Sequence, residues 1–171
     1  MALIIEDGTI VSNANSYATV ADVRAYATLR GVTLPLVDGD VETYLIKAGD
    51  YLNMIDNFRG DTVEFEQSMN WPRKNVVVGL NVVNSDAIPA SIKKAQMQLV
   101  LHLSDGIDLI PITTGAFIVK EKIGQLETVY SESINTDPSP TLPLVEALLA
   151  PFISPTKISA SNFSLLKVTR A

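Results

Sequence analysis

Cysteine is absent from the 171 residues and histidine occurs once. There is therefore no disulfide framework, no thiolate metal site and no cysteine nucleophile, and a multi-histidine zinc or iron site has no ligands. Positive charge is scarce: 13 Lys and Arg stand against 19 Asp and Glu, for a formal net charge of −6. Neutralising phosphates needs a clustered excess of Lys and Arg, so this balance argues against a general nucleic-acid binder. Aromatic residues are few, at five Phe, five Tyr and one Trp, and they do not interleave with basic ones. The longest stretch free of Asp, Glu, Lys and Arg is Gly8 to Ala21, full of Ser, Thr and Asn. A membrane span needs about 18 or more apolar residues in a row, and none occurs. The start, Met1-Ala-Leu-Ile-Ile-Glu6, lacks the basic opening and long apolar core of a secretory signal. Gly-x-Ser-x-Gly elbows, Gly-x-x-x-x-Gly-Lys phosphate loops and His-Glu-x-x-His pairs are missing too. No catalytic residue, cofactor or metal is expected.

Apolar residues, by contrast, are plentiful: they make up 47% of the chain, with a mean hydropathy of +0.23. Without a membrane span, burial between subunits accounts best for this surplus, the alternative being a monomer with a well-filled core.

The patterning predicts an α+β protein, mainly α: a small bundle of about four helices with one β-hairpin and an extended C-terminal arm. Leu3 to Ile5 reads as a short strand closed by Glu6-Asp7-Gly8. Thr19 and Asp22 have capping-box spacing and open a helix from Val20 to Arg30, with Gly31 as its left-handed stop. Asp40 is the expected N-cap of a second helix, on which Val41, Tyr44, Leu45, Ala48, Leu52 and Ile55 recur before an end near Asp56. From Asp38 to Glu66, eight acids face only Lys47 and Arg59, a solvated acidic face and loop. Asp61 to Ser85 lacks a helical period and reads as loops and short strand pieces. Pro89 suits the first turn of a third helix, ended by Gly106. Ile92, Ala95, Leu99 and Leu103 line one of its faces, and Met97, Val100 and Leu101 fill much of the rest, so burial on several sides is expected.

From Ala116 the period becomes two, and Ile123-Gly124 marks a hairpin turn within 116–132. Val119, Lys120, Lys122 and Leu126 are its candidate partner-contact residues, by apolar area and by charge that can select a partner. The plainer alternative is a hairpin packed on its own helices. Leu142 to Phe152 reads as a short helix with Pro143 in its first turn. Residues 1–153 thus form one domain and 154–171 an arm. The arm is Ser-rich and basic, and carries Phe163, Leu165, Leu166 and Val168 as candidate docking residues for the portal, a partner sheet or a neighbouring subunit, the plainer alternative being an arm folded back on its own domain.

Chemistry-bearing clusters are thin. His102, between Leu101 and Leu103 on the most apolar helix, reads as a hydrogen-bonded core or interface histidine rather than a general base. Trp71-Pro72-Arg73-Lys74 is the one aromatic-basic cluster, and a Trp beside Pro more often anchors a loop than stacks a base. Arg73-Lys74 and Lys93-Lys94 are the local patches from which any DNA attraction would come.

Several segments together resemble a phage protein family. They are Ile4-Ile5-Glu6-Asp7-Gly8, Asn15-Ser16-Tyr17, Ala48-x-Asp50-Tyr51-Leu52, Trp71-Pro72-Arg73, Ile88-Pro89 and Val119-Lys-Glu-Lys-Ile-Gly124, in this order. The chain is similar to families labelled DnaT-like single-strand-binding proteins, and to head-to-tail adaptor (head completion) proteins of tailed phages. The resemblance implies a structural virion protein at the head–tail junction. It would form a homo-oligomeric, twelve-fold ring beneath the portal protein, contact tail or tail-completion proteins, and let DNA pass without sequence-specific binding. An acidic subunit suits such a channel, because it does not hold phosphate. The alternative is a single-stranded-DNA-binding phage protein.

Overall fold

The computed structural model describes residues 2–110, 120–123, 126–129 and 140–154. The chain is α+β and mainly α. Its elements run α1 (Val20–Thr28), α2 (Asp38–Asn53), β1 (Asp61–Thr62), β2 (Arg73–Lys74), β3 (Val77–Val78), β4 (Asn81–Val82), α3 (Ala90–Ser104), β5 (Lys120–Ile123), β6 (Leu126–Val129) and α4 (Pro143–Leu149). A 3-10 turn over Ala150–Phe152 follows α4.

Helix α3 is the axis of the fold and packs against α1, α2 and α4. That explains its all-round apolar character, with Ile92, Ala95, Leu99, Val100 and Leu101 all buried. One polar side chain shares this buried surface. The Gln96 amide donates to Ser16 Oγ (3.0 Å) and to the Leu45 carbonyl (2.9 Å), and accepts from the Tyr17 N–H (2.8 Å). It joins the N-terminal loop, α2 and α3 in one satisfied cluster, as a buried amide must be.

Thr19 and Asp22 form the full capping box of α1, and Gly31 adopts φ +68° beyond its end. The helix proper stops at Thr28 rather than Arg30, because Val32 N–H closes back on the Ala27 carbonyl. Helix α2 begins at Asp38 with Val37 as its N-cap, so Asp40 lies in the first turn instead of capping it. Arg24 sets the earlier start by binding Asp38 Oδ1 and the Leu36 carbonyl, while both acids sit at the positive end of the helix dipole. At the other end α2 stops at Asn53, short of Asp56. There the Asn70 amide donates to the carbonyls of Leu52, Asn53 and Ile55, taking the place of further helical turns.

The expected strand at Leu3 to Ile5 is only an isolated parallel bridge between Ile5 and Ser16. Asn15 occupies Ile4 instead, its Oδ1 accepting the Ile4 N–H while its own N–H donates to the Ile4 carbonyl, so no ladder extends. Residues 61–85 hold short pieces, with β1 paired to β2 and β3 to β4. In the later hairpin Ile123 pairs with Leu126, so Ile123 is a ladder residue rather than part of the turn. The last predicted helix divides into α4 and its 3-10 continuation, where Pro151 lacks the N–H that an α-helical bond would need.

Candidate functional site

The aromatic-basic cluster is folded inward. Trp71 is 1% exposed, follows residues held by α2, and precedes a cis peptide bond to Pro72. Phe58 and Phe152 meet its ring edge-on, at centroid distances of 5.9 and 5.5 Å. The Trp71 backbone N–H donates to the Tyr17 hydroxyl at 3.1 Å, and burial pushes the Tyr17 phenol upward from its ordinary value. The Arg73 guanidinium is spent on backbone carbonyls: Arg59 at 2.9 Å, Gly60 at 2.8 Å, Asn70 at 3.3 Å and Phe58 at 3.5 Å. Burial lowers its pKa, with Asp61 opposing. Trp71 and Arg73 therefore build the core of a loop, and only Lys74 of the cluster is exposed.

In the second basic pair Lys94 is exposed and Lys93 is half-buried. Lys93 lies close enough to Asp7 and Asp22 to contribute to holding both carboxyls below their ordinary range. Hydrogen bonds from Thr9 (to Asp7) and Thr19 (to Asp22) are the larger causes. His102 is half-buried, with Nε2 3.3 Å from Gln98 Nε2, which makes the imidazole nitrogen the acceptor; Gln98 Oε1 in turn accepts from the Tyr26 hydroxyl. Among the described residues no group of three Asp, Glu or His side chains gathers as a metal ion would require, and no helix is long and apolar enough to cross a membrane.

Of the candidate contact residues, Lys120, Lys122 and Leu126 lie on the β5–β6 ladder, opposite Val129, Glu127 and Ile123. Val119, Phe163, Leu165, Leu166 and Val168 lie outside the described residues, as does most of the 154–171 arm.

What the fold does present is apolar side chains held out on tied-down loops. Phe65 is 97% exposed between exposed Glu64 and Glu66. Its loop is fixed by Gln67, whose Oε1 accepts from the N–H groups of Val63 (2.8 Å) and Glu64 (3.0 Å). The Gln67 amide nitrogen donates to the carbonyls of Met69 and Pro72, and Ser68 Oγ accepts from the Asn13 N–H. Leu80 at the tip between β3 and β4 is fully exposed, beside Val77 and Val82. Leu29, Leu36 and Val37 are exposed around the α1–α2 connection. A groove of about 500 Å³ opens between the end of α2 and α4, with Ile55, Val145, Leu149 and Ile153 among its walls and Arg59 and Glu146 as its charged lining.

Sequence patterning placed Phe65 inside a solvated acidic run and gave it no separate weight. An aromatic flanked by two carboxylates in a segment without period was the available signal. By sequence pattern Glu6 belongs to a turn. It is buried, and its carboxylate accepts from the N–H groups of Gly8, Ile10 and Val11, organising the first loop.

No curated protein and no solved structure matches the chain. A family model described as "Putative DnaT-like ssDNA binding protein" matches residues 1–171, and the chain belongs to that family.

Proposed function

We propose that this protein is a non-enzymatic assembly subunit, a head-to-tail adaptor that forms a ring beneath a phage portal and joins it to the tail. The carrying observation is the set of large apolar side chains, led by Phe65 and Leu80, held in water by hydrogen-bonded loops of an acidic subunit. Exposed apolar groups on a fixed scaffold suit protein contacts, because the ordering cost of binding is already met. The net charge of −6 suits a channel that DNA traverses without sticking.

A second reading, single-strand DNA binding, has the family description behind it over the whole chain, and the comparisons speak for it rather than for a ring. The geometry offers that reading little: Arg73 is turned to carbonyls, and the exposed aromatic Phe65 is flanked by Glu64 and Glu66. Mass measurement of the purified chain, alone and mixed with portal protein, tests the choice. A large complex formed with portal, together with weak binding to a labelled oligothymidylate at physiological salt, is the expected result. Submicromolar oligothymidylate binding without any portal complex would establish the second reading instead.

A further inference from the structure

We propose that copies of this chain join head to tail, the Phe65 loop of one copy seating in the groove between α2 and α4 of the next. The inference rests on the assembly reading above and names the surfaces that would carry it. The two features are complementary in shape and share no residue. Phe65 is an apolar knob with almost none of its surface covered, and the groove is an apolar recess of about 500 Å³, roomy enough for an aromatic ring. Charge adds direction. Arg59 lines the groove and matches Glu64 or Glu66 beside the knob. The acid of the lining, Glu146, accepts from the Leu142 N–H within its own helix turn.

The knob is also prepared for docking. Gln67 ties the loop at four backbone groups, and Ser68 ties it to Asn13, so little order remains to be gained on contact. A buried aromatic anchor in a pocket is the usual centre of an interface's binding energy. Knob and groove share no residue, so a contact that is not returned within the same pair is heterologous, and repeating it gives a ring if the rotation closes. Base stacking is the competing use of an exposed aromatic, but two carboxylates beside the ring repel the phosphates that stacking would bring with it.

The test uses the full chain. Phe65→Ala removes the knob, and Ala150→Trp fills the groove from an exposed position; circular dichroism checks that both fold. Wild-type chain, alone at high concentration or on portal, should form larger species, and each variant alone should not. Mixing the two variants should give a two-chain species and nothing larger, since one knob and one groove remain intact. The chain has no cysteine, so a Phe65→Cys chain mixed with an Ala150→Cys chain reports the contact directly as a disulfide between copies. Variants that assemble like wild type, or no such disulfide either in solution or on portal, would overturn the inference while leaving a portal complex, and so the assembly reading, intact. Loss of oligothymidylate binding in Phe65→Ala would overturn it in favour of base stacking.

Discussion

Arg73 shows how a residue type that suggests DNA can serve the fold alone. Its fork spans the turn between Phe58 and Gly60 and the backbone at Asn70, and a lysine ammonium cannot reach that set from one position. Hydrogen bonds to a charged group contribute about 1.5–3 kcal/mol each, so Arg73→Lys should lower unfolding stability in urea by at least about 2 kcal/mol. Its affinity for an oligonucleotide, measured where the variant is folded, should be unchanged; lost DNA affinity at full stability would contradict this role. Trp71 makes a second case. Its indole N–H is buried without a hydrogen-bond partner, so Trp71→Phe gives up packing but removes an unsatisfied donor. Trp71→Ala should cost about 3–5 kcal/mol and Trp71→Phe clearly less, by thermal or chemical unfolding of both.

At the scale of elements, Gly49 reverses an ordinary rule. Alanine normally stabilises a helix interior by about 1 kcal/mol over glycine, but a Cβ at position 49 would stand 2.6 Å from the Asn15 carbonyl oxygen. Gly49→Ala should therefore destabilise, because α2 must back away from the N-terminal loop that Gln96 also grips; a raised melting temperature would refute this. The α1 cap carries a pH signature. Asp22 is held below its ordinary carboxylate pKa by the Thr19 N–H and hydroxyl. A depressed folded-state pKa contributes stability at pH values above the unfolded one, and that stability is lost as pH falls through the folded value. Asp22→Asn should thus cost about 0.3–1 kcal/mol at neutral pH. The difference from wild type should shrink below about pH 4, where the carboxyl protonates. A pH-independent difference in melting temperature would mean that the charge of Asp22 plays no part.

For the whole molecule, the distribution of charge matters more than its sum. Two arginines that could face phosphate are drawn into the fold, Arg24 paired with Asp38 and Arg73 buried among carbonyls, while the exposed Lys47, Lys74 and Lys94 lie on separate elements. A protein that neutralises few phosphates loses little affinity as salt rises. We expect oligothymidylate binding weaker than micromolar at physiological salt, with a shallow salt dependence in a fluorescence titration. A steep slope would reveal a basic interface.

The helices were legible because their signals are local. A Thr–Asp box, a glycine stop and apolar recurrence every three or four residues depend on neighbours in the chain, and α1, α2 and α3 appear where those signals place them, within a few residues. Their ends shifted wherever a distant side chain intervened, as Asn70 does at the close of α2 and Arg24 at its start. Composition alone removed the cysteine- and multi-histidine-based chemistries. Tertiary structure decided the rest. Whether Arg73 meets phosphate or carbonyl, whether Gln96 bridges three segments, and whether Phe65 is covered or left in water depend on contacts between residues far apart in sequence. Pairings of that kind form only once the chain is packed, and no local pattern of residues encodes them.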